Sequence, residues 1–302
     1  MPAATLLEPQ LVDRAPRPPD GDNWLHEIKY DGYRLLASCE RGTTRLYSRS
    51  GADWTARLPW IANAITSLGH DVHLDGELVY LGDDGFPDFE RLWSATRSGG
   101  EQAHLYYQVF DVLRLDGSDL TAKPLVERKA RLLEVMRDEG AGTRLRYVSH
   151  VQGNGLEFFR AADELGLEGI VSKRTHSVYR AGIRSADWLK VKCFRTQRFS
   201  IVGYTTESVA GGEVLATLAL AGTNETGQLT YAGRVEFGVP RRDDTLLKAL
   251  RTLSEPTMAV AGASQSASIV WVEPKLSAEV RALAWRPGRS LRHAVLGTVS
   301  II

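Results

Sequence analysis

The sequence predicts an α+β chain of two domains: mixed strands and helices over 1–194, and a smaller OB-fold β-barrel over 195–302. Three observations carry that expectation. A chain of 302 residues, 43% hydrophobic and 25% charged, is long enough for two ordinary cores and has the composition of a folded globular protein. Up to about Arg195, strand-like runs interleave with helical ones. Beyond it, short strands (Phe199–Thr205, Val214–Leu220, Leu229–Phe237, Ile269–Val272) are separated by Gly-rich turns, with one helix near Asp243–Leu253. That texture suits a small barrel and puts the boundary near 194–197.

Residues 1–22 hold five prolines and little periodicity, so they read as an extended arm. Strands are expected at 25–38 and 43–48. Apolar residues recur at helical spacing from Trp54 to Ile65 despite Pro59. His73–Leu81 reads as a strand with Glu77 in its middle. Phe86–Trp93 reads as a short helix, followed by a loop closed by Gly99-Gly100. Leu105–Leu113 is strongly β-prone and ends in the turn Asp116-Gly117. Helices are expected at Leu125–Met136, where apolar and basic residues alternate, and at Asn154–Leu165, ended by Gly166. Glu168–Lys173 and Asp187–Lys192 are the last strands of this block. The second carries Trp188, Lys190 and Lys192 on one face.

Lys+Arg and Asp+Glu both number 37, so net charge gives no sign of a polyanionic partner, but its distribution does. From Lys173 to Arg198 there are eight basic residues against one acid, Asp187, a strip suited to a nucleotide or a phosphate backbone. No apolar run approaches the roughly 20 residues of a membrane span, and no signal pattern opens the chain. A cytoplasmic protein is expected. Cys39 and Cys193 make neither a disulfide framework nor a metal knuckle and read as buried free thiols.

Lys29 stands out within Trp24–Arg34, WLHEIKYDGYR. With strand alternation, Trp24, His26, Ile28 and Tyr30 face one way, while Leu25, Glu27, Lys29 and Asp31 face the other. A lysine at that place, followed at once by Asp31 and Gly32, reads as a nucleophile, which a lysine becomes when its amine is neutral. Asp31 reads as fixing the turn at Gly32, and His26 as structural. The remaining singled-out groups are strand-borne carboxylates, Glu77 and Glu168, an aromatic on a strand, Phe110, and the paired lysines Lys190 and Lys192. Together they form the inventory for nucleotidyl transfer: an attacking amine, acids for Mg²⁺ or ribose, a face for a base and cations for phosphate oxygens.

Six segments in order, among them HEIKYDGYR, YSRSG, LDGE, VFD, EGIVSKR and DWLKVKC, resemble the motifs of covalent nucleotidyltransferases, above all the ATP-dependent DNA ligases. The chain is most similar to the ligase module of bacterial non-homologous end-joining ligases. The resemblance implies an adenylation domain of mainly antiparallel sheets with helices, followed by an OB-fold domain. It implies that Lys29 is adenylated by ATP and that AMP passes to the 5′-phosphate of a nick, which the 3′-hydroxyl then seals. The implied cofactor-binding residues are Glu27, which reads the adenine amino group, Ile28, Arg34, Arg49, Glu77 and Phe110, with Lys173, Lys190 and Lys192 on phosphate. The implied metal ligands, for Mg²⁺ or Mn²⁺, are Glu77 and Glu168. Lys190, Lys192 and the metal are expected to supply the positive charge that favours a neutral Lys29 amine. Trp188 reads as core.

The resemblance further implies a monomer acting on nicked or broken double-stranded DNA, with end-binding and end-processing repair proteins as partners and no membrane. One departure stands out. Such ligases end in Arg-x-Asp-Lys, whereas here Gly297 is followed by Thr-Val-Ser-Ile-Ile. Either Arg286, Arg289 and Arg292 substitute, or adenylation is slow. An RNA-capping guanylyltransferase, an RNA ligase and a catalytically weak DNA-end-binding protein are the alternative readings.

Overall fold

The computed structural model describes residues 8–97, 102–137, 144–237, 244–255, 260–263, 268–283, 285 and 287–302. The chain forms two compact units, Met1–Lys192 and Cys193–Ile302. Gly99, Gly100 and Arg286 lie outside the described residues. Among the described residues no helix is long and apolar enough to cross a membrane.

In the first unit β1 (Leu11–Arg14) lies within the stretch 1–22 expected to be an extended arm. The stretch expected as one strand over 25–38 is two, β2 (Trp24–Ile28) and β3 (Tyr33–Glu40). Gly32 explains the break: a Cβ there would lie 2.1 Å from the Leu78 carbonyl oxygen, so only glycine lets the chain turn this close to its neighbour. The expected alternation holds, His26 facing Ser172 and Glu27 facing Lys173, but Trp24, Leu25, His26 and Glu27 are all buried. Strand β2 is covered on both faces, with His26 Nδ1 hydrogen-bonded to Ser172 Oγ at 2.8 Å.

After β4 (Thr43–Ser48), helix α1 spans Pro59–Thr66. It begins at the proline because the missing N–H is dispensable in a first turn; the expected start at Trp54 was too early. Strand β5 (Val72–Tyr80) leads to α2 (Phe89–Arg97), whose entry is fixed by Asp88 accepting the Arg91 N–H at 3.0 Å. Strands β6 (Leu105–Leu115) and β7 (Ser118–Asp119) precede α3 (Leu125–Val135). The chain then runs through β8 (Leu145–Tyr147), β9 (His150–Gln152), α4 (Gly155–Glu164), β10 (Gly169–Arg174) and β11 (Arg184–Lys192).

These strands make two mainly antiparallel sheets. One has the order β1-β11-β10-β2-β9 and the other β4-β3-β5-β6-β7, with β8 pairing β6. The second packs its apolar face on α1, α2 and α3 around Leu35, Leu46, Ile61, Leu74, Leu92 and Leu132. Since β2 belongs to one sheet and β3 to the other, residues 29–32 are the crossing between them. Lys29 is placed by that crossing.

The second unit is a five-stranded antiparallel sheet with one helix. Its elements are β12 (Phe194–Val209), β13 (Gly212–Thr223), β14 (Leu229–Glu236), α5 (Asp244–Thr252), β15 (Val270–Leu283) and β16 (Val295–Ile301). The order β14-β13-β12-β15-β16 is that of an OB-type barrel, and Leu291 N–H to Ala232 C=O at 2.7 Å joins its two ends. Ile201, Leu218, Leu220, Leu250, Val272 and Val280 fill its core. Strand β15 is far longer than the expected Ile269–Val272. Its pairing with β12 shifts register between Ile201 and Gly203, opposite the Pro274 region, where a residue without N–H interrupts the ladder.

Candidate active site

Strand β2 ends one residue before Lys29, whose N–H donates to the Gly169 carbonyl at 2.9 Å. Gly169 has φ 146°, and a Cβ there would meet the Val191 carbonyl oxygen at 2.1 Å. Glycine therefore lets β10 and β11 close together, with Glu168 just ahead of the pairing. Its carboxylate bridges two lysines: Lys29 Nζ to Oε2 at 2.6 Å and Lys192 Nζ to Oε1 at 2.8 Å. Burial works to raise the Glu168 carboxyl, but the charges of Lys29 and Lys192 outweigh it and hold it below the usual range. The charge of Lys192, expected to act on Lys29, is thus engaged by the acid between them.

Beside Lys29 opens a cavity of about 710 Å³. Glu27, Ile28, Arg34, Arg49, Glu77, Phe110, Lys173 and Lys190 all line it, Arg49 as an exposed residue. Glu168 and Lys192 are not among its lining residues. The structure divides the expected phosphate lysines. Burial lowers Lys190, and the cations Lys29, Arg14, Arg184 and Lys192 add to that effect. Lys173 instead lies 2.5 Å from Glu27 Oε2 and 4.2 Å from the centres of both the Phe110 and Trp188 rings.

The other oxygen of Glu27 accepts from Lys129 Nζ at 2.6 Å. Burial pushes Glu27 up, yet Lys129 and Lys173 outweigh it and hold it below the ordinary value. Arg34 is clamped by Asp75, Nε to Oδ1 at 2.5 Å and Nη2 to Oδ2 at 2.6 Å, and Tyr179 donates its hydroxyl to the same carboxylate at 2.7 Å. The guanidinium then lies 4.7 Å from the Phe110 ring centre.

Glu77, facing Arg34 across the β3–β5 pairing, has no salt bridge among the described residues. Burial lifts its carboxyl from 4.5 to about 7, with Lys29 and Arg34 opposing and Glu168 and Asp75 assisting. In the folded chain this acid therefore binds its proton more tightly than in the unfolded chain. Its ionisation costs stability as pH rises from 4.5 through 7, and about 3 kcal/mol is lost above that window. Glu77→Gln is expected to melt higher than the parent at pH 8 and equally near pH 4.5. A difference independent of pH would show that the carboxylate bears no such burden.

Lys129, Asp75, Tyr179 and Arg14 escaped the sequence reading, Arg184 entered it only as one member of the basic strip, and Trp188, read as core, is both buried and part of the cavity wall. A signal existed for Lys129. Leu125, Arg128, Lys129 and Leu132 share the i, i+3, i+4, i+7 face of α3, and all four are buried.

Residues 10–192 match the model of the ATP dependent DNA ligase domain, and 211–299 that of the ATP dependent DNA ligase C-terminal region. The multifunctional non-homologous end joining protein LigD of Pseudomonas aeruginosa is 37% identical over 302 residues, covering 97% of this chain and 35% of that protein. The LigD of Mycobacterium tuberculosis is 34% identical over 276 residues, covering 90% of this chain and 35% of that protein. The chain thus spans about a third of the length of these relatives. Among solved structures, a mycobacterial DNA ligase D complexed with ATP and MES aligns with TM-score 0.59 and 32% identity, covering 98% of this chain and 95% of that one.

Proposed function

The chain belongs to the ATP-dependent DNA ligase family, and from that premise we propose that it joins nicked or broken duplex DNA in end-joining repair through an AMP adduct on Lys29. The observation that carries this reading is a lysine at the crossing between two sheets, on the wall of a cavity with a carboxylate, Glu27, in its wall and several cations around Lys190. A nucleotide has matching polarity: a base that offers amino donors and a polyphosphate that needs cations.

In the first step the Lys29 amine, held by the Glu168 carboxylate at 2.6 Å, loses its extra proton to solvent. The freed amine attacks the α-phosphorus of ATP; the N–P bond forms as the bond to pyrophosphate breaks. Lys190, Arg14 and Arg184 neutralise the departing oxygens, while Arg34 and Glu77 orient the sugar. Next a 5′-phosphate oxygen of the nick displaces Lys29, which regains a proton, and the 3′-hydroxyl then attacks that phosphate and expels AMP.

The residues suit a divalent ion, Mg²⁺ or Mn²⁺. Glu77 lines the cavity and has no salt bridge among the described residues, and Mg²⁺ is commonly held by one or two carboxylates together with substrate phosphates. Such an ion would neutralise charge on the phosphates. Glu168, whose oxygens each already accept from a lysine, would be the second carboxylate. The proposed assembly is a monomer working with end-binding and end-processing repair proteins.

Incubation with α-labelled ATP or GTP and Mg²⁺, followed by acid precipitation, tests the proposal. An acid-stable AMP adduct that a nicked duplex discharges, with sealing of the nick, is expected. Labelling by GTP alone would point to a capping enzyme, and binding of DNA ends without any adduct to an end-binding protein.

A further inference from the structure

The buried face of α2 is made by Leu92, Ala95 and Thr96. Trp93, the largest side chain of that helix, is not on it: the residue is 46% exposed and stands outside the core cluster against which Phe89 packs. A tryptophan left this far in water forgoes much of the stabilisation that its burial would bring. Its ring is covered instead by a cation, Arg97, whose guanidinium carbon lies 5.0 Å from the ring centre.

The same pairing recurs close by, where the exposed Arg57 lies 5.3 Å from the centre of the Trp54 ring. Tyr33 connects the two pairs. Its ring meets Trp54 at 5.3 Å and 70°, and Phe89 at 5.3 Å and 62°. Phe89 and Trp93 are four residues apart on α2 and so are neighbours on its surface. The rings therefore run in the order Trp54, Tyr33, Phe89, Trp93, and the first two line the cavity beside Lys29. They form a path from the candidate active site to solvent. Arg57 and Arg97, held over their rings, have no salt bridge among the described residues, so each sets an uncommitted guanidinium beside an aromatic face. The exposed residues of α2 are Glu90, Arg91, Trp93, Ser94 and Arg97. Trp93 alone among them is apolar, which makes the patch too narrow for the apolar centre of a protein interface.

We propose that Trp93 and Arg97 form a stacking platform for an unpaired base, so that the chain takes DNA ends carrying a short single-stranded overhang in preference to blunt ends. This rests on the reading that the chain joins DNA. A paired base hides its faces in the duplex stack, whereas an unpaired one offers a flat aromatic face with a phosphate on either side of its sugar. That is the complement of an exposed indole next to an uncommitted cation. The base lies against the exposed part of the Trp93 ring, the guanidinium of Arg97 meets the adjoining phosphate, and Trp54 with Arg57 offers a second place on the way to Lys29.

The test measures equilibrium binding of the chain to a blunt duplex, to the same duplex with a short overhang, and to that overhang with its bases removed to leave abasic sugars. The parent is expected to bind the ordinary overhang at least about fivefold tighter than either of the others, the lower end of what one stacked base contributes. Trp93→Ala should bind the ordinary overhang no better than the abasic one, and Trp93→Phe should retain part of the difference. Formation of the AMP adduct should be unchanged in Trp93→Ala, because Trp93 does not line the cavity. Equal binding of blunt and overhanging duplex by the parent overturns the proposal and leaves Trp93 to a protein partner. Equal binding of ordinary and abasic overhangs by the parent also overturns it, since phosphates alone would then be read, as does a preference unchanged in Trp93→Ala. Absence of any adduct in the parent would refute the ligase reading instead, and the comparison of overhangs would still decide whether Trp93 stacks a base.

Discussion

Lys29→Ala is expected to form no AMP adduct, with joining of ordinary nicks reduced by more than about 10³-fold, the scale on which loss of a nucleophile acts. Neither neighbouring lysine can replace it. Lys192 is bound to Glu168 and stands off the cavity, and Lys190 lies on β11, separated by β10 from the strand that leads to Lys29. The fold should tolerate the change. Lys29 is 22% exposed, and Glu168 keeps Lys192 as its partner, so a loss of no more than about 1 kcal/mol is expected. A nick already carrying 5′-AMP needs no lysine nucleophile, and its sealing should fall far less. An adduct surviving in the variant at undiminished rate would move the nucleophile elsewhere.

The parts of this site that could be read in the sequence are those whose chemistry is local. Lys29, Asp31 and Gly32 are adjacent, and Glu168 with Gly169 sits at the start of one strand, so each motif announces itself within a few residues. The partnerships are what the sequence conceals. Lys129 lies 102 positions from Glu27 and Arg128 lies 17 from Asp111, and basic residues at helical spacing ordinarily mark a solvent face. Inside α3 they point inward because two buried acids wait there.

Lys173 had its partner hidden for a related reason. Its motif neighbours and the basic strip that begins with it suggested phosphate, but cross-strand pairing sets Lys173 opposite Leu25 on β2 and Trp188 on β11, beside Glu27. Strand length failed likewise. Alternation identified the apolar part of β15 but not its extension past Pro274, and β16, mostly exposed at 295–301, offers little apolar pattern to read. The break between β2 and β3 depends on how near Leu78 comes to Gly32, a distance no local pattern contains.

Asp75→Asn is expected to cost about 3 kcal/mol in stability and to raise the KM for ATP by about tenfold, because the carboxylate it removes is the sole salt-bridge partner of Arg34 among the described residues. Asp75 is fully buried and pairs across β5 and β6 with Asp111, also fully buried. Two acids so placed repel unless each has its own cation, and each has one: Arg34 for Asp75, Arg128 for Asp111. The arrangement supplies its own control. Asp111→Asn breaks an equally buried pair and should lower stability by a similar amount. Arg128, however, does not line the cavity, whereas Arg34 does, so only Asp75→Asn releases a cation that meets the nucleotide. Equal destabilisation with a KM change confined to Asp75→Asn would establish Asp75 as the positioning residue for Arg34. A KM that rises alike in both variants would show that the nucleotide senses only the general loosening of the sheet, and that the clamp on Arg34 has no part of its own in binding.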